Sequence, residues 1–346
     1  MTVACFTSLT FSYLPRARVL AETLRAAHPD WAIWAVLVDR APPGHADRAA
    51  FAGFDRVMDV DELGIDRAWL FRHDLVEACT AVKGAMLRHL LDLGAKIVVY
   101  LDPDIAVFHP LASLHERLRH ASILLTPHQV EPDETAPAIA DNERAALRYG
   151  TYNLGFLGVR NDAAGRAFAG WWAARLHEAC FDDPEAGLFT DQKYADLVPA
   201  LFERVGIVRD PGWNVASWNL SRRRLRFTPE GGIEVNGSPL AFYHFTKHGG
   251  AGDVMTERYA GDAHEPHELW RWYGRRLKAL AEPDIPEGWW HFSQFSDGTP
   301  IPHAARRFAR ARPDVMARVA DPFDASFLHW LRQNAPDAVN PAPAAR

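Results

Sequence analysis

One stretch limits what this chain can fold into more than any other: Val98-Val99-Tyr100-Leu101-Asp102-Pro103-Asp104-Ile105-Ala106-Val107-Phe108. Its first half is apolar and β-branched and follows Gly94 and Lys96, the pattern of a buried strand. An unpaired charge inside such a strand is very costly, so Asp102 and Asp104 belong where the strand leaves the core. Pro103 has no N–H to give to a ladder, which also ends the strand there. Two carboxylates two residues apart, stiffened by a proline, offer oxygen ligands to a hard divalent cation and leave positions open for phosphate oxygens. A solvated turn competes with this reading, because Asp-Pro-Asp is also a common turn composition.

The order of elements around that stretch sets the fold class. A strand over residues 2–6 runs into Thr7-Ser8-Leu9-Thr10, and a helix over 14–27 follows with Pro15 near its start. A second buried strand spans 31–39, and helical spacing covers 66–79. In the next helix, 80–93, Val82, Ala85, Met86, His89, Leu90 and Leu93 share a stripe, and Lys83 lies off it. The metal-site strand comes next, then another at 122–126. This succession predicts an α/β fold with a mostly parallel sheet and helices on both faces. Ligands in such sheets sit beyond the carboxyl ends of the strands, where Asp102 and Asp104 lie. Residues 131–142 are rich in Pro and acid and read as a flexible flap. Residues 152–159 read as a strand whose glycines allow close backbone approach. Gly231-Gly232 and Asn236-Gly237 mark hairpin turns, and 240–245 is the last strand. The chain divides into a main domain (1–260), a helical C-terminal appendage (261–333) and a Pro/Ala-rich tail (334–346) with the composition of disorder.

Composition removes several functions. With 38 basic against 44 acidic residues, the net charge of −6 gives no basic surface for nucleic acid, and no nucleic-acid partner is expected. Cys5, Cys79 and Cys180 are far apart and form no C-x-x-C pair, as expected of core thiols in a reducing compartment. The first residues lack a basic and apolar leader, and the longest apolar run, 31–38, falls short of the roughly 20 residues a membrane span needs. The expected location is the cytoplasm. Arg306, Arg307 and Arg310 line one helix face, which is either solvated or suited to acidic headgroups at the inner membrane face.

Other residues that can carry chemistry are individually weak signals. His244 ends a strand and is a usual ligand for borderline metals, though a lone histidine is more often a core residue. Lys247 and the glycines after it can cradle phosphates. Lys83 can serve as a point charge, although a solvated helix lysine is the commoner case. Asp191 and Gln192 offer a carboxylate and an amide at a helix start, where an N-cap is the plain alternative. Asn153 and Asn214 stand beside Gly155 and Gly212 in turn-like settings. Trp213 and Trp218 are either sugar platforms or buried aromatics.

Taken in order, Lys83, Tyr100-Leu101-Asp102-Pro103-Asp104, Asn153-x-Gly155, Asp191-Gln192 and His244-Phe245 resemble the GT-A (Rossmann-like) glycosyltransferases. Within them the pattern is most similar to the retaining galactosyltransferase/glycogenin type (family 8) and related bacterial polysaccharide transferases. The resemblance covers residues 2–250. It implies Mn²⁺ (or Mg²⁺) held by Asp102, Asp104 and His244 on a nucleotide-sugar donor, UDP-linked, and a glycan or glycolipid acceptor. It also implies Thr7 and Ser8 near the base and ribose, Lys83, Asn214 and Lys247 on the donor, and Asn153, Gly155, Asp191 and Gln192 around the sugar. Asp191 and Gln192 would be the catalytic pair. The family's loop after the histidine ends in Lys-Pro-Trp, whereas this chain has Lys247-His248-Gly249-Gly250. A non-catalytic sugar- or nucleotide-binding protein, or inverting transfer on the same fold, stands as the alternative.

Overall fold

The structure is a computed structural model and describes residues 2–44 and 51–340. In chain order its main strands are β1 (Val3–Leu9), β2 (Ala32–Leu37), β3 (Arg56–Asp59), β4 (Ile97–Leu101), β5 (Ile105–Val107), β6 (Ile123–Pro127), β7 (Tyr152–Arg160), β8 (Val205–Ile207), β9 (Val215–Ala216) and β10 (Phe242–His244). Seven of them form the central sheet, in the order β8-β6-β7-β4-β1-β2-β3. Neighbours are parallel except around β7, which runs antiparallel to both β4 and β6. The chain is therefore α/β with a mostly parallel sheet, as its sequence predicts.

The longer helices are α1 (Leu14–Ala27), α2 (Leu75–Asp92), α3 (Ser113–His120), α4 (Ala163–Ala179), α5 (Ala251–Ala260), α6 (His264–Ala279), α7 (His303–Ala311) and α8 (Ala325–Asn334). Alternation along β1 divides the two cores: Ala4 and Phe6 join the apolar cluster of α2 and α4, while Val3 and Cys5 join that of α1 and α3. The residues from 290 onward pack into the first of these clusters. Phe71 meets the rings of Phe323 and Phe327 at 5.1 and 5.6 Å.

Three local expectations are corrected. Helix α2 starts at Leu75, because Asp74 and Glu77 form a reciprocal capping box (Glu77 N to Asp74 Oδ1 2.9 Å, Asp74 N to Glu77 Oε2 2.8 Å). The flap is folded, with helical turns at Ala136–Ala138, Ile139–Glu143 and Arg144–Tyr149. Its acids have partners: Asp141 pairs with Arg258 and accepts from Tyr259 at 2.7 Å, and Arg222 reaches Glu131 and Glu134. The tail is ordered at its start, where α8 ends at Asn334 and Pro336–Ala338 forms a turn that buries Ala338. Residues 341–346 lie outside the described residues.

Helix α2 is buried on a broader face than one stripe because it lies between the sheet and α4. Gly84 sits at that crossing, where a Cβ would stand 2.6 Å from Ala173 Cα. Gly84→Ala is expected to destabilise the protein by about 1–3 kcal/mol through overpacking, despite alanine's better helix propensity. Urea denaturation checks this. A variant as stable as the parent would contradict so close a crossing.

Candidate metal and sugar-nucleotide site

The site forms at the corner where β4 leaves the central sheet. Asp102 N donates to Gly155 O at 2.9 Å, and the chain turns through Pro103 and Asp104 into β5 of a second, three-stranded sheet. In that sheet β10 runs antiparallel to β5, and its register puts His244 opposite Ile105. Phe245 N also donates to Asp104 O at 2.9 Å. This strand pairing brings a histidine from late in the chain to the two carboxylates. Ligating atoms of Asp102, Asp104 and His244 all lie within 4.8 Å of one another. His244 Nε2 is 3.0 Å from Asp104 Oδ1 and 3.6 Å from Asp102 Oδ2.

The histidine ring is held from behind. Asn153 Oδ1 accepts from Gly155 N at 3.2 Å, which sets the amide's orientation. The same oxygen is 3.2 Å from His244 Nδ1, so Nδ1 donates and Nε2 faces the carboxylates. Gly155 makes room for this: a Cβ there would be 2.6 Å from His244 Cε1. Burial alone would lower the His244 pKa, but Asp104 and then Asp102 outweigh it and raise it. Burial alone would raise Asp104, and His244 outweighs it in turn. One imidazole and two carboxylates, anchored and converging, form a donor set that fits a divalent cation with positions left over.

Beside this triad lies a buried charge network. Lys83 is 2% exposed, with Nζ 2.9 Å from Asp191 Oδ2 and 3.2 Å from both Asp102 Oδ1 and Leu154 O. Its ammonium also sits 4.1 Å from the Tyr100 ring centroid. Burial alone would lower the Lys83 pKa, but Asp102 and Asp191 raise it well above the usual lysine value. Tyr100 donates to Asp102 Oδ1 at 2.5 Å. Asp191 is 3% exposed, and its other oxygen accepts from Thr190 Oγ1 at 3.1 Å. Burial outweighs the pull of Lys83 and raises Asp191. Asp191 is therefore not a helix cap. Thr190, at φ +46°, turns the backbone so that the carboxylate points inward to Lys83. Gln192 is fixed at both ends, donating to Tyr149 O at 3.0 Å and accepting from Asn153 Nδ2 at 3.3 Å.

A cavity of about 850 Å³ opens over these groups. Asp102, Asp104 and His244 line it, together with Ser8, Lys83, Lys247, Asn153, Gly155, Asp191 and Gln192. Two expected donor residues are not in its wall. Thr7 is buried one position before Ser8, and strand alternation turns it to the opposite face. Asn214 is fully buried at φ +54°, and among the described residues neither of its side-chain polar atoms has a partner. Trp213 is a core ring between Phe156 and Phe242, whereas Trp218 stands in the wall, edge-on to His244 at 5.3 Å. The sequence reading missed Tyr13, His128, Arg148 and Tyr149 in the wall, and the role of Tyr100. Tyr100 was findable, because it lies two residues before Asp102 in a strand and so shares its face.

The arginine face of α7 is also resolved. Arg306 is buried and donates to the carbonyls of Phe71, His73 and Phe292. Arg310 pairs with the buried Glu77 and donates to Arg72 O at 2.7 Å. Two of the three arginines are thus bound within the protein, which removes the basis for expecting them on a lipid surface. Among the described residues, no helix is long and apolar enough to cross a membrane.

No known family's sequence model matches the chain. It is similar to the uncharacterized protein YfnF of Bacillus subtilis (strain 168), 30% identical over 177 residues that make up 50% of this chain and 57% of that one. It is also similar to the uncharacterized protein YfnD of the same organism, 28% identical over 174 residues, 49% of this chain and 53% of that one. The chain thus spans just over half the length of these curated relatives. Among solved structures it is similar to the galactosyltransferase LgtC in complex with donor and acceptor sugar analogues, with a TM-score of 0.49, 16% identity, and coverage of 83% of this chain and 99% of that one. At that score and identity, what this site does has to be read from its own geometry.

Proposed function

We propose that the protein is a metal-dependent glycosyltransferase of GT-A type. It would move a sugar from a nucleoside diphosphate donor, UDP-linked, to a hydroxyl of a glycan or glycolipid, with retention of anomeric configuration. The observation that carries this reading is the convergence of Asp102, Asp104 and an Asn153-oriented His244 at the base of a large cavity. These three residues would hold Mn²⁺ or Mg²⁺. When bound, the ion supplies a Lewis acid that grips the diphosphate and neutralises the charge developing on it as it leaves.

The remaining roles fall to the chain's own groups. Lys247, exposed at the cavity wall, supplies a positive charge to the phosphates. Ser8 is tied to Cys79 O at 2.7 Å and shapes the nucleoside end. Lys83 holds the site's carboxylates in place: its ammonium donates to Asp102 Oδ1 and Leu154 O and pairs with Asp191. It acts by fixing Asp191 and Asp102. With one oxygen paired to Lys83 and the other accepting from Thr190, Asp191 is held in place as a fixed negative charge beside the sugar pocket. Its negative charge, with the Gln192 amide, stabilises positive charge at the anomeric carbon.

Calorimetric titration with UDP tests the reading. Binding is expected in Mn²⁺, and is expected to fall away when Mn²⁺ is withheld or in Asp102→Ala/Asp104→Ala. Equal affinity in all three cases sinks it. Release of UDP from UDP-sugars separates an enzyme from a binding protein, and NMR of the product anomer distinguishes retention from inversion.

A further inference from the structure

Helix α1 carries three arginines, and two are committed. Arg18 pairs with Glu282 and donates to Leu280 O at 3.1 Å. Arg25 pairs with Asp55 at 2.7 Å and donates to Trp31 O at 2.7 Å. Arg16 differs: among the described residues it has neither a hydrogen bond nor an ion pair. Its guanidinium instead lies over the Tyr13 ring, with Cζ 4.5 Å from the centroid. Arg16 also stands in the first turn of its helix, where a positive charge opposes the helix dipole and no acidic residue balances it.

Its surroundings belong to the site. Tyr13 lines the cavity, as do Asp104 and Lys247. The charges of Asp104 and Arg16 act in opposite directions on Tyr273, a buried hydroxyl with no hydrogen-bond partner among the described residues. The cavity wall already holds Asp102, Asp104 and Asp191, and the Lys83 ammonium is engaged by Asp102, Asp191 and Leu154 O. A polyanion entering there needs further cations. A guanidinium suits phosphate oxygens because its donors form a planar fork.

We propose that Arg16 is a diphosphate-binding residue, moving from the Tyr13 ring onto the phosphate oxygens of a nucleoside diphosphate seated at Asp104. This rests on the nucleotide reading given above. The test is calorimetry of UDP and of uridine, both in Mn²⁺, on the parent protein, Arg16→Gln and Arg16→Lys. UDP affinity is expected to fall about tenfold or more in Arg16→Gln, the scale of one charge-assisted contact, with a smaller fall in Arg16→Lys and uridine binding unchanged in both. Undiminished UDP affinity in Arg16→Gln overturns the proposal and leaves the nucleotide reading intact. Equal losses for UDP and uridine also overturn it, because Arg16 would then merely hold Tyr13 in place. A parent protein that binds no UDP in Mn²⁺ overturns the nucleotide reading and this proposal with it.

Discussion

Replacing Lys83 by methionine is expected to lower stability by about 3–5 kcal/mol, the range seen when one partner of a buried ion pair is removed. The reason is local. Asp191 is 3% exposed and among the described residues has only Lys83 as a counter-charge within 4 Å, and Asp102 shares the same ammonium. A methionine fills the space and leaves Asp191 charged in a dry setting, or protonated and no longer able to face positive charge. Urea denaturation measures the loss. A drop below about 1 kcal/mol would place the pair in the weak, solvated class instead. The double variant Lys83→Met/Asp191→Leu removes the stranded carboxylate and is expected to recover much of the stability, since apolar replacement of a whole buried pair is often neutral or better. Sugar transfer is expected to stay lost in the double variant. That split would separate what Lys83 does for folding from what it does for chemistry.

Lys83 also shows where sequence reading stops. On a helix, a lysine off the apolar stripe reads as solvated, and nothing within several residues says otherwise. Its burial depends on Asp191, far along the chain and brought there by the turn at Thr190. Arg306 was illegible for the same reason, because its partners are backbone carbonyls that carry no side-chain signature. The flap misled by composition: proline and acid suggested mobility, but its acids are bound by Arg222, Arg258 and Tyr259. What was legible was local. The end of β4 followed from a charge and a proline after an apolar run. Helix α1 followed from its proline start and the His28-Pro29-Asp30 stop after it, with matching bounds. The start of α2 was legible and overlooked, since Asp74-x-x-Glu77 is a capping box readable from sequence alone.

Asp104→Asn is expected to have the largest effect on ligand binding with the least effect on the fold. The substitution keeps shape and volume, and Asp104 O still accepts from Phe245 N, so the β5–β10 pairing that brings in His244 persists. What goes is one of two negative charges facing His244 Nε2. Losing a partner in the outer shell of a metal site costs about 10–100-fold in metal affinity, and losing a ligand should cost more. Asn153→Ala provides that outer-shell comparison in the same protein, because it removes the acceptor that orients His244 Nδ1 and leaves Asp102, Asp104 and His244 in place. The expected order of Mn²⁺-dependent UDP affinity is therefore parent, then Asn153→Ala, then Asp104→Asn, with the last close to the affinity measured without the ion. Titrating Mn²⁺ at fixed UDP reads this order directly. If Asp104→Asn binds UDP in Mn²⁺ as the parent does, while melting at the same temperature, the carboxylates after β4 form a turn and not a metal site.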